Sequence, residues 1–326
     1  MLLLDRRRFN ALIPAAALAA SGAAFAQGKT LRILVGYAAG GAAGGAADTV
    51  ARAVAEGLRD SGFNAIVENR PGAAGRLATD ALLLAPADGN TLVMTPTGNL
   101  TLAPHIFKAA RHDLLAQLSG VGTAARMSFA IAVAANSPAK TLQDYLAQAK
   151  ADPHLATYGT PGAGTAMDFI GQMLSKDAKV ALTGVPYKGG SAAVTDAIGG
   201  TLPAVITTLP NLLAMHRSGK LRLLATSDGE TNPAVPGVPT FKSQGFPGLV
   251  VTETFAFFAK AGTAGAMVGE LNRAITAAVK SPKVAAILQK AEYEPRSMAP
   301  DELNAMIKTE YTRWAEIVKA TGYTAE

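Results

Sequence analysis

The sequence predicts an α/β protein built as two lobes around a cleft. Three observations carry this. Short apolar runs alternate with segments of helical spacing, the pattern of βαβ units and a mostly parallel sheet. The alternation restarts after about residue 128, giving two units of similar size. The glycine-rich and polar loops follow strands, so they gather beyond the strands' carboxyl ends, where open parallel sheets bind ligands.

In the first unit, LRILVGY (31–37) reads as a buried strand, followed by a helix from about Ala47 to Asp60. NAIVEN (64–69) and TLVMTP (91–96) are the next strands, with the helical GRLATDALLLA between them and the turn ADGN before the third. The second unit opens with FAIAVAA (129–135). A helix follows, with Thr141 as N-cap and Asp144 at the third helical position. LATYGT, ALTGVPY, LPAVITT and LRLLATS are further strands, with a helix over 165–176. From 263 onward three helices close the chain, the last carrying the sole tryptophan, Trp314. The loops expected along the cleft are 38–47, 70–75, 97–99, 160–165, 187–191 and 207–211.

Residues 1–26 stand outside the fold. Arg6, Arg7 and Arg8 precede an alanine-rich apolar stretch that ends at Ala24-Phe25-Ala26, a small-x-small cleavage site before Gln27. The run is too short and weakly apolar to span a bilayer, so it reads as an export signal. Arg6-Arg7-Arg8-Phe9 fits the twin-arginine route, with a general secretory signal as the alternative. The 326 residues contain no cysteine, so an apolar core must hold an exported fold without disulfides. Net charge is +6, and the signal's three arginines and one aspartate leave about +4, scattered along the chain. With 6% aromatics and no basic block, a nucleic-acid surface is excluded.

Reactive chemistry is hard to find. The loop GYAAGGAAGGAAD (36–48) lacks the Lys-Ser or Lys-Thr of a Walker loop and the G-x-G-x-x-G spacing of a dinucleotide fingerprint. His105, His112, His154 and His216 are dispersed, giving no metal set. SPAK (137–140) satisfies S-x-x-K without its companion motifs, and GGSAA (189–193) lacks the last glycine of G-x-S-x-G. What remains is anion-seat geometry: glycines that let amide N–H groups converge beside helix N-termini.

Six segments in order, GGAADTVAR (44–52), VENRPGAAG (67–75), ADGNTL (87–92), VPYKGG (185–190), GKLRLLATS (219–227) and VPGVPTF (235–241), resemble the Bug-type periplasmic solute-binding proteins of tripartite tricarboxylate transporters. The likeness covers nearly all of the chain after the signal. It implies a two-lobe periplasmic-binding-protein fold (Venus flytrap, type II-like), with two mostly parallel sheets joined by crossover strands. The first lobe is expected over 27–125 and 250–326 and the second over 126–249.

The resemblance also implies a site. Tyr37, Gly44, Gly45 and Asp48 form the first seat, joined by Thr97, Gly98 and Asn99. Thr160, Gly164, Thr165 and Tyr187 come from the second lobe, Thr207 and Thr208 sit where the family turns polar side chains into the cleft, and Lys188 is a further candidate facing solvent. Tyr187 is open between ligand contact and packing between the lobes, and Thr207 and Thr208 between ligand contact and capping the next helix. Three departures mark this chain: a first loop about four residues longer than usual, Thr254 where the family often has Trp, with Lys260 and Ala264 replacing prolines nearby, and Asp168 in place of a His.

The expected protein is therefore a periplasmic monomer, cleaved after Ala26. It captures a small organic carboxylate in the cleft and delivers it to the large and small membrane subunits of such a transporter. No cofactor, metal or catalysis is expected. The alternatives are a periplasmic serine hydrolase using Ser137 with Lys140, or Ser191, and an orphan carboxylate-sensing module. The sequence does not name the carboxylate.

Overall fold

The computed structural model describes residues 29–40, 46–107, 113–322 and 324. The signal-peptide assignment and two expected site residues, Gly44 and Gly45, lie outside these residues. Strands β1 (Lys29–Val35), β2 (Phe63–Asn69) and β3 (Thr91–Pro96) fall within two residues of the expected limits. They pair in parallel, in the order β2-β1-β3. The helix Ala46–Leu58 crosses between β1 and β2, and Arg76–Leu84 between β2 and β3.

The central element is β4 (Leu118–Ala134), 17 residues long. Sequence reading finds only its second half. The first half, LSGVGTAARMS, is rich in small residues and shows no alternation, because neighbours on both edges and helices on its faces bury nearly every position. In the second half of the fold, β5 (Thr157–Thr160), β6 (Thr183–Pro186) and β7 (Ala204–Thr208) form a parallel β6-β5-β7 set. The capping box of Leu142–Ala151 forms as expected. Asp144 N–H donates to Thr141 Oγ1 at 3.1 Å, and Thr141 N–H donates to Asp144 Oδ2 at 2.9 Å.

Strand β8 (Leu221–Thr226) pairs antiparallel with the end of β4, and β9 (Thr252–Lys260) pairs antiparallel with its beginning. β9 also lies against β3, and the short β10 (Glu294–Pro295) against Ala125 and Arg126 of β4. Hydrogen bonding therefore runs continuously as β2-β1-β3-β9-β4-β7-β5-β6. The two parallel sets are joined through β4 and β9, the two strands that cross between the halves.

Helices Gly265–Lys280, Pro282–Lys290 and Pro300–Thr321 close the chain. One apolar cluster extends through both halves, from Leu31 and Val54 to Phe129, Phe169 and Trp314. A second, around Val205 and Leu212, supports the β7 side, and a third joins Leu34 to Phe258. Among the described residues no helix is long and apolar enough to cross a membrane.

Candidate functional site

A cavity of about 240 Å³ lies between the two parallel sets, over the crossover strands. Its lining draws on the loop after β1 (Tyr37, Ala38, Ala39, Gly40) and the turn after β3 (Gly98, Asn99). Met127 of β4 and Glu253 and Phe255 of β9 form its crossover wall. The opposite half supplies Thr165 to Met167, Lys188 to Ala192, Thr207, Thr208 and Asn211.

Four helices begin at this cavity: Ala46–Leu58, Ala166–Ala178, Gly190–Ile198 and Leu209–Arg217. Helix N-termini present unsatisfied N–H groups and a positive dipole end, which favours anions. Two of the four already hold a carboxylate of their own. Asp48, in the first turn of Ala46–Leu58, accepts from Arg52 Nε at 2.9 Å, Asn69 Nδ2 at 2.9 Å and Gly40 N–H at 3.2 Å. Burial opposes its charge, but the bonds from Arg52, Asn69 and Gly40 outweigh that and hold its carboxyl below the usual range. Asp168, in the first turn of Ala166–Ala178, accepts Gly164 N–H at 2.8 Å, while Thr165 Oγ1 accepts Asp168 N–H at 3.3 Å. Gly190–Ile198 and Leu209–Arg217 have neither a side-chain cap nor an acidic first turn.

Six of the expected residues line the cavity: Tyr37, Gly98, Asn99, Thr165, Thr207 and Thr208. Tyr37 donates from its hydroxyl to Ala74 O at 3.0 Å, and Asn99 Nδ2 donates to Thr95 Oγ1 at 2.7 Å. Burial, and then the Glu253 carboxyl, push the Tyr37 hydroxyl well above its ordinary pKa, so it stays a neutral donor. Asn211 Nδ2 donates to Thr207 Oγ1 at 3.4 Å. Thr208 Oγ1 is buried beside Tyr293 and meets no partner with hydrogen-bond geometry among the described residues.

Five others stand off the cavity wall and support it. Asp48 anchors the loop after β1. Thr97 locks the turn after β3 onto β9: its N–H donates to Thr254 O at 3.0 Å, and its Oγ1 accepts Thr254 N–H at 3.3 Å. Thr254, in the position where the family often has Trp, is thus a buried latch residue. Thr160 donates to Gly162 O at 3.3 Å, and Gly164 takes φ +71° in the same loop. Tyr187 donates to Asp196 Oδ2 at 2.7 Å and faces a separate, smaller cavity between Gly36, Ala73–Gly75 and Pro161. Lys188, expected to face solvent, is exposed but lines both cavities.

Glu253 is the residue the sequence reading missed. It is 7% exposed, and its carboxyl packs so closely on Gly98 that a methyl group there would overlap Oε1. Among the described residues no cation pairs with it. Burial, followed by the charge of Glu310, raises its pKa to about 8 against the opposing pull of Gly98 N–H. A lone acid inside the apolar TETFAFFAK was the available signal.

The hydrolase alternatives rest on Ser137 with Lys140 and on Ser191. Ser137 Oγ accepts Ala139 N–H at 3.2 Å, and Lys140 Nζ reaches the Ser137 carbonyl oxygen at 3.1 Å, closing a turn before the next helix. Ser191 does line the cavity, but no described histidine does. No cluster of three or more potential metal ligands occurs among the described residues.

Comparison with known proteins agrees with this geometry. Residues 50–323 match the model of the tripartite tricarboxylate transporter family receptor. Protein BugT of Bordetella pertussis is 32% identical over 276 residues, covering 82% of this chain and 83% of its own. The periplasmic binding protein BugD superposes with a TM-score of 0.84 at 26% identity, over 90% of this chain and 98% of its own. MatC from Rhodopseudomonas palustris with bound malate superposes with a TM-score of 0.81 at 26% identity, over 89% and 98%. A two-lobe α/β architecture, a cleft ringed by helix N-termini and a family match over most of its length agree: this chain belongs to the tripartite tricarboxylate transporter receptor family, as a Bug-type solute-binding protein.

Proposed function

We propose that this protein is an extracytoplasmic receptor that captures a small organic carboxylate in the cavity and hands it to the large and small membrane subunits of a tripartite tricarboxylate-type transporter. The observation that carries the reading is the convergence of four helix N-termini on one cavity of about 240 Å³. Two of those termini lack any acidic cap, so their N–H groups suit a carboxylate. MatC, a structure with bound malate, supports the same ligand class.

On this reading the lobes comprise 27–125 with 250–326, and 126–249. Binding proceeds by closure of one lobe on the other, the ligand favouring the closed form through contacts to both. Residues 1–26 direct export to the periplasm and are removed after Ala26. The receptor acts as a monomer and catalyses nothing. Its recognition set is Tyr37, Gly98, Asn99, Thr165, Thr207 and Thr208, completed by Gly44 and Gly45, with Asp48, Thr97, Thr160, Gly164 and Tyr187 holding those groups in place.

The test is reconstitution of uptake. Membrane vesicles carrying the two membrane subunits should accumulate labelled carboxylate under an ion gradient only when this protein is added. Binding without uptake would point instead to a sensing module.

A further inference from the structure

Resting on the carboxylate-receptor reading, we propose that the ligand of this chain is a zwitterion, a carboxylate joined by a short spacer to a cationic nitrogen, with the nitrogen set against Glu253 and the carboxylate against the N-terminus of Gly190–Ile198. Three observations place the two poles. Glu253 lines the cavity, is 7% exposed and has no cationic partner among the described residues. The opposite wall offers the acid-free N-terminus of Gly190–Ile198 through Gly189 and Gly190, with Lys188 beside it. The register of β4 sets the spacing. Glu253 stands opposite Met127 on one edge of β4 and Thr208 opposite Phe129 on the other, so the two positions are about 7 Å apart along the strand and two strand spacings of about 4.8 Å apart across it. Thr207, adjacent to Thr208, is so close to Gly190 that a methyl group there would overlap its Oγ1.

The surroundings favour this charge arrangement over a dianion. The groups acting on Glu253 or beside it are Glu310, the neutral Tyr37 hydroxyl and Gly98 N–H, with Arg76 acting on Tyr37. None of these neutralises the Glu253 carboxyl, and Glu310 adds negative charge. A second ligand carboxylate at that end would face an acid that must stay protonated. A cationic nitrogen supplies the missing counter-charge and lets Glu253 ionise, so its proton leaves to solvent on binding. Near pH 7 most of the ligand-free protein carries that proton.

The experiment pairs ligands of matched length, 4-aminobutyrate with glutarate and 5-aminopentanoate with adipate, in titration calorimetry at pH 7 in two buffers of different ionisation enthalpy. The expected result is at least about tenfold tighter binding of the amino acids, with release of close to one proton per ligand. Glu253→Gln, checked by thermal melting, should weaken the amino acids at least about 30-fold, by analogy with truncation of buried charge pairs, and not the diacids. Diacids binding as tightly as the amino acids, or amino acids binding without proton release, would overturn the proposal. Binding of some other carboxylate but of neither series overturns it too, and leaves the receptor reading standing. If no carboxylate binds, both fail.

Discussion

Trp314 stands edge-on to Phe169, with ring centroids 4.8 Å apart and planes at 85°. The first belongs to the last helix and the second to Ala166–Ala178, whose N-terminus opens onto the cavity. Trp314 is 4% exposed and is the chain's single tryptophan. Its emission should therefore shift when a ligand draws the two halves together. Trp314→Ala should cost about 3–5 kcal/mol in urea unfolding, as loss of a large buried aromatic does elsewhere.

Asp48 gives an acid-side prediction. Its folded-state pKa lies below the ordinary value, so its contribution to stability is complete above the unfolded-state pKa. That contribution is lost as pH falls through the lowered folded value. Asp48→Asn should flatten the stability profile in that acid range and cost about 1–3 kcal/mol at neutral pH, since Arg52, Asn69 and Gly40 lose a charged acceptor. Unfolding midpoints measured from pH 2 to pH 7 provide the check.

Glu253 acts in the opposite direction. Its folded pKa of about 8 exceeds the ordinary carboxyl value, so the folded chain binds more protons than the unfolded one between the two. Stability of the ligand-free protein should therefore decline as pH rises from about 4.5 to about 8 through this residue. Glu253→Gln should remove that part of the slope. A slope unchanged in the variant would mean that Glu253 is not a buried neutral acid.

Gly75 is a test of preorganisation. It takes φ +94°, and a Cβ there would meet Asn99 Nδ2 at 2.9 Å and Tyr37 Cε2 at 3.0 Å. Gly75→Ala should cost about 1–3 kcal/mol of stability through backbone strain. It should also weaken ligand binding, because both neighbours line the cavity.

Much of the parallel scaffold was legible because strands such as TLVMTP are compact apolar runs between clear turns, and Thr141 with Asp144 spells a capping box. The first half of β4 was not, since a strand buried on both faces and interspersed with glycine, alanine and serine shows no period-2 alternation. In the site, Tyr37, Asn99 and Thr207 lie where loops after strands should converge. Thr97 and Tyr187 differ because their side chains are committed to Thr254 and Asp196, pairings across long or shifted separations that spacing does not reveal. Glu253 escaped because β9 reads as a core strand, and only tertiary contact with Gly98 shows that one of its positions opens into the cavity.

The most direct test of the central claim is a thermal-shift measurement on purified protein, unfolded and refolded to remove carried ligand. The panel should span mono-, di- and amino-carboxylates, with phosphate and neutral sugars as controls. A ligand at about 100 times its Kd adds roughly 2.7 kcal/mol of stability, a rise of several degrees for a chain of this size. The account predicts such a rise for at least one small carboxylate and none for phosphate or sugars. A shift with phosphate or sugar and with no carboxylate would contradict it.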